Sequence, residues 1–149
     1  MQNAWPVNFV LSIDSYDEHV RGTANLMNLC LSSPYAEPAR FYFSSSISCR
    51  QGAHDATCDE DYSSSPSTAV KTGYAQSKWV VEKLCQQANQ KVGLPVGVLR
   101  IGQMVGDSVN GVWNETEAWP LMFKSANVVG ALPSVTEVRP TARVINAFS

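Results

Sequence analysis

The chain is 149 residues long, 44% hydrophobic and 16% charged, with a formal net charge of -2. That length lets one domain bury a core. The weak net acidity and the lack of any Lys/Arg run exclude a nucleic-acid arm or a polybasic membrane patch, so the expected partners are small molecules or proteins, with no nucleic acid and no membrane.

No apolar stretch approaches the roughly 18 residues of a membrane span, and Met1-Gln2-Asn3-Ala4-Trp5-Pro6 has neither the basic start nor the apolar run of a signal peptide. A soluble, cytoplasmic protein is expected. The four cysteines form no CxxC pair, and Cys49, His54 and Cys58 match no common zinc spacing, so reduced thiols and no metal are expected.

In chain order, Val20, Ala24, Leu26, Met27, Leu29, Cys30 and Leu31 recur with helical spacing and predict an amphipathic helix from Asp14 to about Ser33, with Ser12 or Asp14 as its cap. Ala39 to Ser46, with its Phe-Tyr-Phe run, reads as a strand buried on both faces that ends in three serines. Cys49 to Thr72 is rich in Ser, Asp, Gly and Pro and reads as a long irregular loop. A second helix is predicted from Gly73 to about Lys91, closed by Gly93-Leu94-Pro95. A second buried parallel strand is predicted over 95–102. Beyond it, Trp113, Trp119, Pro120, Leu121, Met122 and Phe123 suggest a small helical or irregular cap, so 102–149 reads as a substrate-side region. Strand, helix and strand with short joints give an α/β fold.

Tyr74 and Lys78 stand four residues apart, one turn from each other on the same helix face. The ammonium is expected to depress the phenol's pKa, making it a proton donor for a carbonyl that accepts hydride, and to reach a cofactor ribose. A serine at the end of the first strand adds a hydroxyl for the substrate oxygen at the edge where α/β folds bind ligands. Physical chemistry alone does not separate Ser45 from Ser46. With five tyrosines in the chain, chance supplies about 0.2 Tyr-Lys pairs at this spacing. The context of strand end, helix start and following strand therefore carries the reading.

These residues resemble an extended short-chain dehydrogenase/reductase. Asn3-Ala4-Trp5-Pro6-Val7-Asn8-Phe9, Arg21-Gly22-Thr23-Ala24-Asn25-Leu26, Phe43-Ser44-Ser45-Ser46-Ile47-Ser48, Gly73-Tyr74-Ala75-Gln76-Ser77-Lys78, Leu99-Arg100-Ile101-Gly102-Gln103 and Gly111-Val112-Trp113-Asn114 narrow it. The chain is similar to the terminal thioester reductase domains of nonribosomal peptide synthetases, polyketide synthases and aminoadipate-reductase-like enzymes. The resemblance implies the C-terminal part of a Rossmann-like doubly wound parallel sheet. It also implies NADPH-dependent reduction of a thioester on a carrier protein's phosphopantetheine arm to aldehyde or alcohol. Ser46, Tyr74 and Lys78 would be catalytic, and Asn3, Ala4, Tyr74, Lys78, Ile101, Gly102 and Gln103 would line the cofactor.

Departures from that pattern are equally specific. No glycine-rich turn for a pyrophosphate occurs and the earliest glycine is Gly22, so the family's first three strands and their helices are expected to be missing and the chain to be an incomplete fragment of such a reductase. His19 stands where extended members often have asparagine, and 138–145 resembles the lead into a last helix. Two other readings use the same residues: an extended short-chain epimerase or dehydratase, and a non-catalytic remnant or interaction module.

Overall fold

The computed structural model describes residues 1–52 and 59–132. The chain divides into one compact unit, Met1–Gly102, and a second that begins at Gln103. His54 and Cys58, and the stretch 138–145, lie outside the described residues.

The first unit is built on a strand, helix and strand. The strand β1 (Phe41–Ser46) pairs in parallel with β2 (Val96–Ile101), with Phe41 opposite Val96 and Ser46 opposite Ile101. Between them in sequence runs the helix α2 (Gly73–Val92). Ahead of β1, a 3₁₀ turn at Ile13–Tyr16 leads into the helix α1 (Asp17–Leu31). Neither expected cap of α1 forms: Ser12 makes no capping bond and instead meets the Ser15 hydroxyl at 3.4 Å, because the 3₁₀ turn starts the helix late.

On the other side of β1 from β2, Gln2 makes a parallel bridge to Phe43, with Gln2 N donating to Tyr42 O at 2.7 Å and Ser44 N to Gln2 O at 3.0 Å. Asn3 and Ala4 therefore leave the sheet toward the same edge as Ser46.

Alternation along the strands sends Phe41 and Phe43 to one face, where α1's Met27 and α2's Val81 and Cys85 join them with Trp5, Tyr16 and Leu94 in a single core. The predicted burial of both faces is not what forms. Tyr42 on β1 and Leu99 and Ile101 on β2 are exposed, because the described helices contribute their apolar residues to the Phe41–Phe43 face.

Helix α2 is fixed at both ends. The Thr72 hydroxyl accepts from Ala75 N at 3.2 Å, and Gly93, at φ 68°, takes the left-handed conformation that ends the helix. Its buried stripe mixes Ala75, Val81 and Cys85 with Ser77, Lys78 and Glu82, an unusual set for a core-facing helix and the first sign that this face carries more than packing.

Gly73 lets α2 begin where it does. A Cβ there would stand 2.4 Å from Leu11 O and 2.4 Å from Ser12 C, and both obstacles are backbone. Gly73→Ala is expected to cost ~2–3 kcal/mol through overpacking, read as a lower urea midpoint. An unchanged midpoint would disprove the close approach.

The predicted loop after β1 contains two short 3₁₀ turns, Ile47–Cys49 and Pro66–Thr68. It is tied back on itself by Val70 N to Ser48 O at 2.9 Å and Gly52 N to Thr68 O at 2.8 Å.

The second unit holds the helix α3 (Ala118–Val129) in its described part, ended by Gly130 at φ 74°. Trp113 and Trp119 both pack on Phe123, and Trp113 Nε1 donates to Glu117 Oε2 at 3.1 Å. Of the helical or irregular structure expected here, the helical alternative forms over Ala118–Val129. No described helix is long and apolar enough to cross a membrane.

Candidate active site

The C-terminal end of β1 and the first turns of α2 bring Ser46, Tyr74 and Lys78 together. Ser46 ends the strand in extended conformation, and its side chain caps the following 3₁₀ turn. Its Oγ accepts from Ser48 N at 3.2 Å and from the Ser48 hydroxyl at 3.0 Å. Ser46 lies close enough to Tyr74 for its hydroxyl to pull the phenol's pKa down.

That pull is outweighed. Tyr74 is half-buried, its ring edge-on to Phe9 at 5.3 Å, and burial is the largest influence on it, raising its pKa above the usual 10.0. The sequence-based expectation of a phenol depressed by Lys78 is therefore not met. The reason lies in where the ammonium goes.

Lys78 is only 3% exposed. Its Nζ donates to Ser44 O at 2.6 Å and lies 4.7 Å from the ring centroids of both Trp5 and Phe43, against 5.8 Å from that of Tyr74. Burial lowers its pKa from 10.5 to about 8. A carbonyl and two aromatic faces are what let an ammonium sit here at all.

Trp5 is the residue that sequence reasoning did not place. Its indole Nε1 donates to Ser77 Oγ at 3.1 Å, Ser77 Oγ donates to Tyr74 O at 2.8 Å, and its ring stacks on Tyr16 and meets His19 at 5.4 Å. Trp5 enters the sequence reading only as part of the segment 3–9, with no contact of its own, because its partners are remote in the chain. His19, noted as a departure, serves here as a packing partner of Trp5 and Tyr16, and its carbonyl accepts from Thr23 Oγ1 at 2.8 Å.

The two neighbouring serines separate cleanly. Ser45 is 3% exposed and its Oγ donates to Glu82 Oε1 at 2.5 Å, inside the face packed on α2. Ser46 stands at the strand end beside Tyr74. Cys49, 3.4 Å from Ser45 Oγ, is pushed up to about 11 by burial and is no nucleophile at neutral pH.

Of the residues expected around a cofactor, Ile101 lies opposite Ser46 in the strand register, with Gly102 next along the chain. Asn3, Ala4 and Gly102 are exposed, and a Cβ on Gly102 would meet only Ile47 Cδ1 at 3.9 Å. This edge is open enough for a flat ring to lie against it. Gln103 belongs to the second unit, where its amide donates to Met104 O at 2.9 Å. A depression lined by Ile13, Pro66, Gln76, Trp79 and Val80 includes none of the three central residues. No group of His, Cys, Asp and Glu able to hold a metal occurs among the described residues.

Comparison with known proteins places the chain in a family. Residues 2–146 match the NAD-binding family described as Male sterility protein. The chain is 39% identical over 136 residues to the adenylate-forming reductase Nps11 of Serpula lacrymans var. lacrymans, covering 89% of this chain and 12% of that protein. It is 34% identical over 139 residues to a carboxylic acid reductase of Neurospora crassa, covering 89% and 13%. Among solved structures it is similar to the terminal R domain from the myxalamid PKS-NRPS biosynthetic pathway, with TM-score 0.75 and 32% identity, covering 91% of this chain and 34% of that one. The parallel α/β architecture is that of the R domain, and the resemblance seen in the motifs points to the same group.

Proposed function

Because the chain belongs to the Male sterility protein family of NAD-binding domains, we propose that it carries the reaction centre of a reductase acting on a carrier-bound acyl thioester, with NADPH as the reductant. The observation that carries this reading is the convergence of Ser46, Tyr74 and Lys78 where β1 ends and α2 begins. Its relatives support it, since they include adenylate-forming and carboxylic acid reductases.

Bound NADPH would supply a hydride to the thioester's carbonyl carbon. The residues able to hold its nicotinamide end are Asn3, Ala4, Ile101 and Gly102 on the open strand edge. No glycine-rich turn suited to its pyrophosphate is present among the 149 residues. Gln103, which the resemblance also assigns to the cofactor, begins the second unit.

Every other step uses this chain's own groups. The Ser46 hydroxyl donates to the oxygen that gains charge as the carbonyl is reduced. Tyr74, whose raised pKa keeps it protonated at neutral pH, gives that oxygen its proton. The resulting hemithioacetal collapses with cleavage of the carbon–sulfur bond, releasing thiol and aldehyde. A second hydride and proton by the same route give the alcohol. Lys78 holds α2 on β1 through Ser44 O, which keeps Tyr74 within reach of Ser46.

The test is consumption of NADPH by the purified protein with an acyl-pantetheine thioester, followed by loss of NADPH absorbance, alongside binding of NADPH by calorimetry. Turnover with release of thiol and aldehyde is expected. Conversion of a nucleotide sugar without net NADPH consumption would replace this reading by the epimerase one. A folded protein that neither binds NADPH nor turns over would make the chain a non-catalytic module.

A further inference from the structure

Tyr74, Lys78 and Glu82 recur every four residues along α2, and each meets a different serine of β1. Tyr74 lies beside Ser46, Lys78 Nζ donates to Ser44 O, and Glu82 Oε1 accepts from Ser45 Oγ. The first two belong to the proposed reaction centre. The third is a carboxylate only 2% exposed, and the chemistry described above does not use it.

Its charge is answered from the neighbouring strand. Arg100 sits beside Ser45 in the register of β1 and β2. Its Nε donates to Glu82 Oε1 at 3.0 Å and Oε2 at 3.1 Å, and Nη2 donates to Oε2 at 2.8 Å. The same guanidinium then reaches the segment between β1 and α2: Nη1 donates to Asp59 O and Glu60 O, each at 3.2 Å, and Nη2 to Asp61 O at 3.1 Å. One buried ion pair thus joins α2, both strands and the connecting segment. Stability alone gives little reason for it, since apolar residues of similar size often hold a core as well as a buried ion pair does.

We infer that Glu82 and Arg100 are a positioning pair for the reductase site, setting how far α2 slides along β1 and tying Asp59–Asp61 to the strand ends that carry Ser46 and Ile101. The inference rests on the reductase reading given above. Lys78 alone fixes α2 at one point, about which the helix can still pivot. A second anchor one turn further on removes that freedom, and with it displacements of Tyr74 against Ser46 that can cost up to ~100-fold in rate per ångström.

Three variants test the pair: Glu82→Gln, which keeps an acceptor for Ser45, Arg100→Met, and the double variant with both changes. Each is assayed for kcat with the acyl thioester, NADPH affinity, thermal midpoint and hydrogen exchange across 59–63. Both single variants are expected to lower kcat by ~10-fold or more while NADPH affinity stays within about three-fold, a split that loss of folded protein does not produce. Exchange across 59–63 rises in Arg100→Met.

The double variant leaves no buried charge uncompensated, so its thermal midpoint returns close to the parent's, yet kcat and exchange stay defective. Recovery of kcat together with the midpoint would overturn the inference by showing that the pair only stabilises. So would an Arg100→Met protein with parental kcat and exchange. A parent protein without reductase turnover overturns the reductase reading instead, and the exchange measurement then decides whether the tether exists.

Discussion

Tyr74→Phe is expected to lower single-turnover hydride transfer by ~10²–10⁴-fold, the range lost with a positioned general acid, while leaving the fold and NADPH affinity nearly intact. The substitution removes one oxygen. Phe keeps the edge-on contact with Phe9 and the helix start set by Thr72. Loss of the hydroxyl's polar interactions at a half-buried position costs at most about 1 kcal/mol.

The pH dependence follows from the same geometry. Burial raises the pKa of Tyr74 above 10.0, so the acid form persists through neutrality and the rate should fall only on the alkaline side. If Tyr74→Phe retained parental transfer rates with normal NADPH affinity, Tyr74 would not be the proton donor, and Ser46 or water would have to take that role.

The elements of the site were readable in the sequence because each rests on a local rule. Thr72, Gly73 and the apolar spacing of Val81, Leu84, Cys85 and Ala88 mark the start and run of α2, and Gly93 marks its end. The short β-branched run at Val96–Ile101 marks β2. What the pattern could not show is what depends on contacts remote in sequence. Lys78 was expected to depress the Tyr74 phenol and reach a cofactor ribose, but its destination is set by Trp5 and Phe43, 73 and 35 positions earlier in the chain. Ser45 and Ser46 are alike as letters and differ only in which face of β1 they occupy. Glu82 inside an apolar stripe and Arg100 in an otherwise apolar strand were visible as exceptions. Each is explained only by the other. The openness of the Tyr42 face had no local signal, because Tyr-flanked strands of this composition occur buried on both sides as readily as on one.

Lys78→Met is expected to abolish turnover, with a loss of ~100-fold or more because the tie that holds Tyr74 at Ser46 goes with it, and yet to leave the protein no less stable at pH 7. The ammonium is buried, and burial lowers its pKa to about 8 from 10.5. Below pH 8 both folded and unfolded chains carry the proton, and the folded chain bears the full cost of holding the charge away from water. Between pH 8 and 10.5 the folded chain releases the proton while the unfolded chain keeps it, so the unfolded state binds more protons and this residue's contribution to stability rises with pH.

The rise is on the order of 3 kcal/mol across that window. Cys49 and Cys85, raised by burial to about 11 and about 12, act in the opposite sense above pH 9.0, where their thiols ionise only in the unfolded chain. They are common to both proteins and cancel in the difference. Methionine matches the stem of lysine but leaves Ser44 O without its donor, at a cost of about 1–2 kcal/mol that offsets the relief of the buried charge at pH 7. Urea midpoints of parent and variant at intervals from pH 7 to 10 measure the effect directly, with the parent gaining on the variant once pH passes 8. A difference that stayed flat through that range would mean that Lys78 is hydrated in solution, and the box formed by Trp5, Phe43 and Ser44 O would not then be what holds α2 to β1.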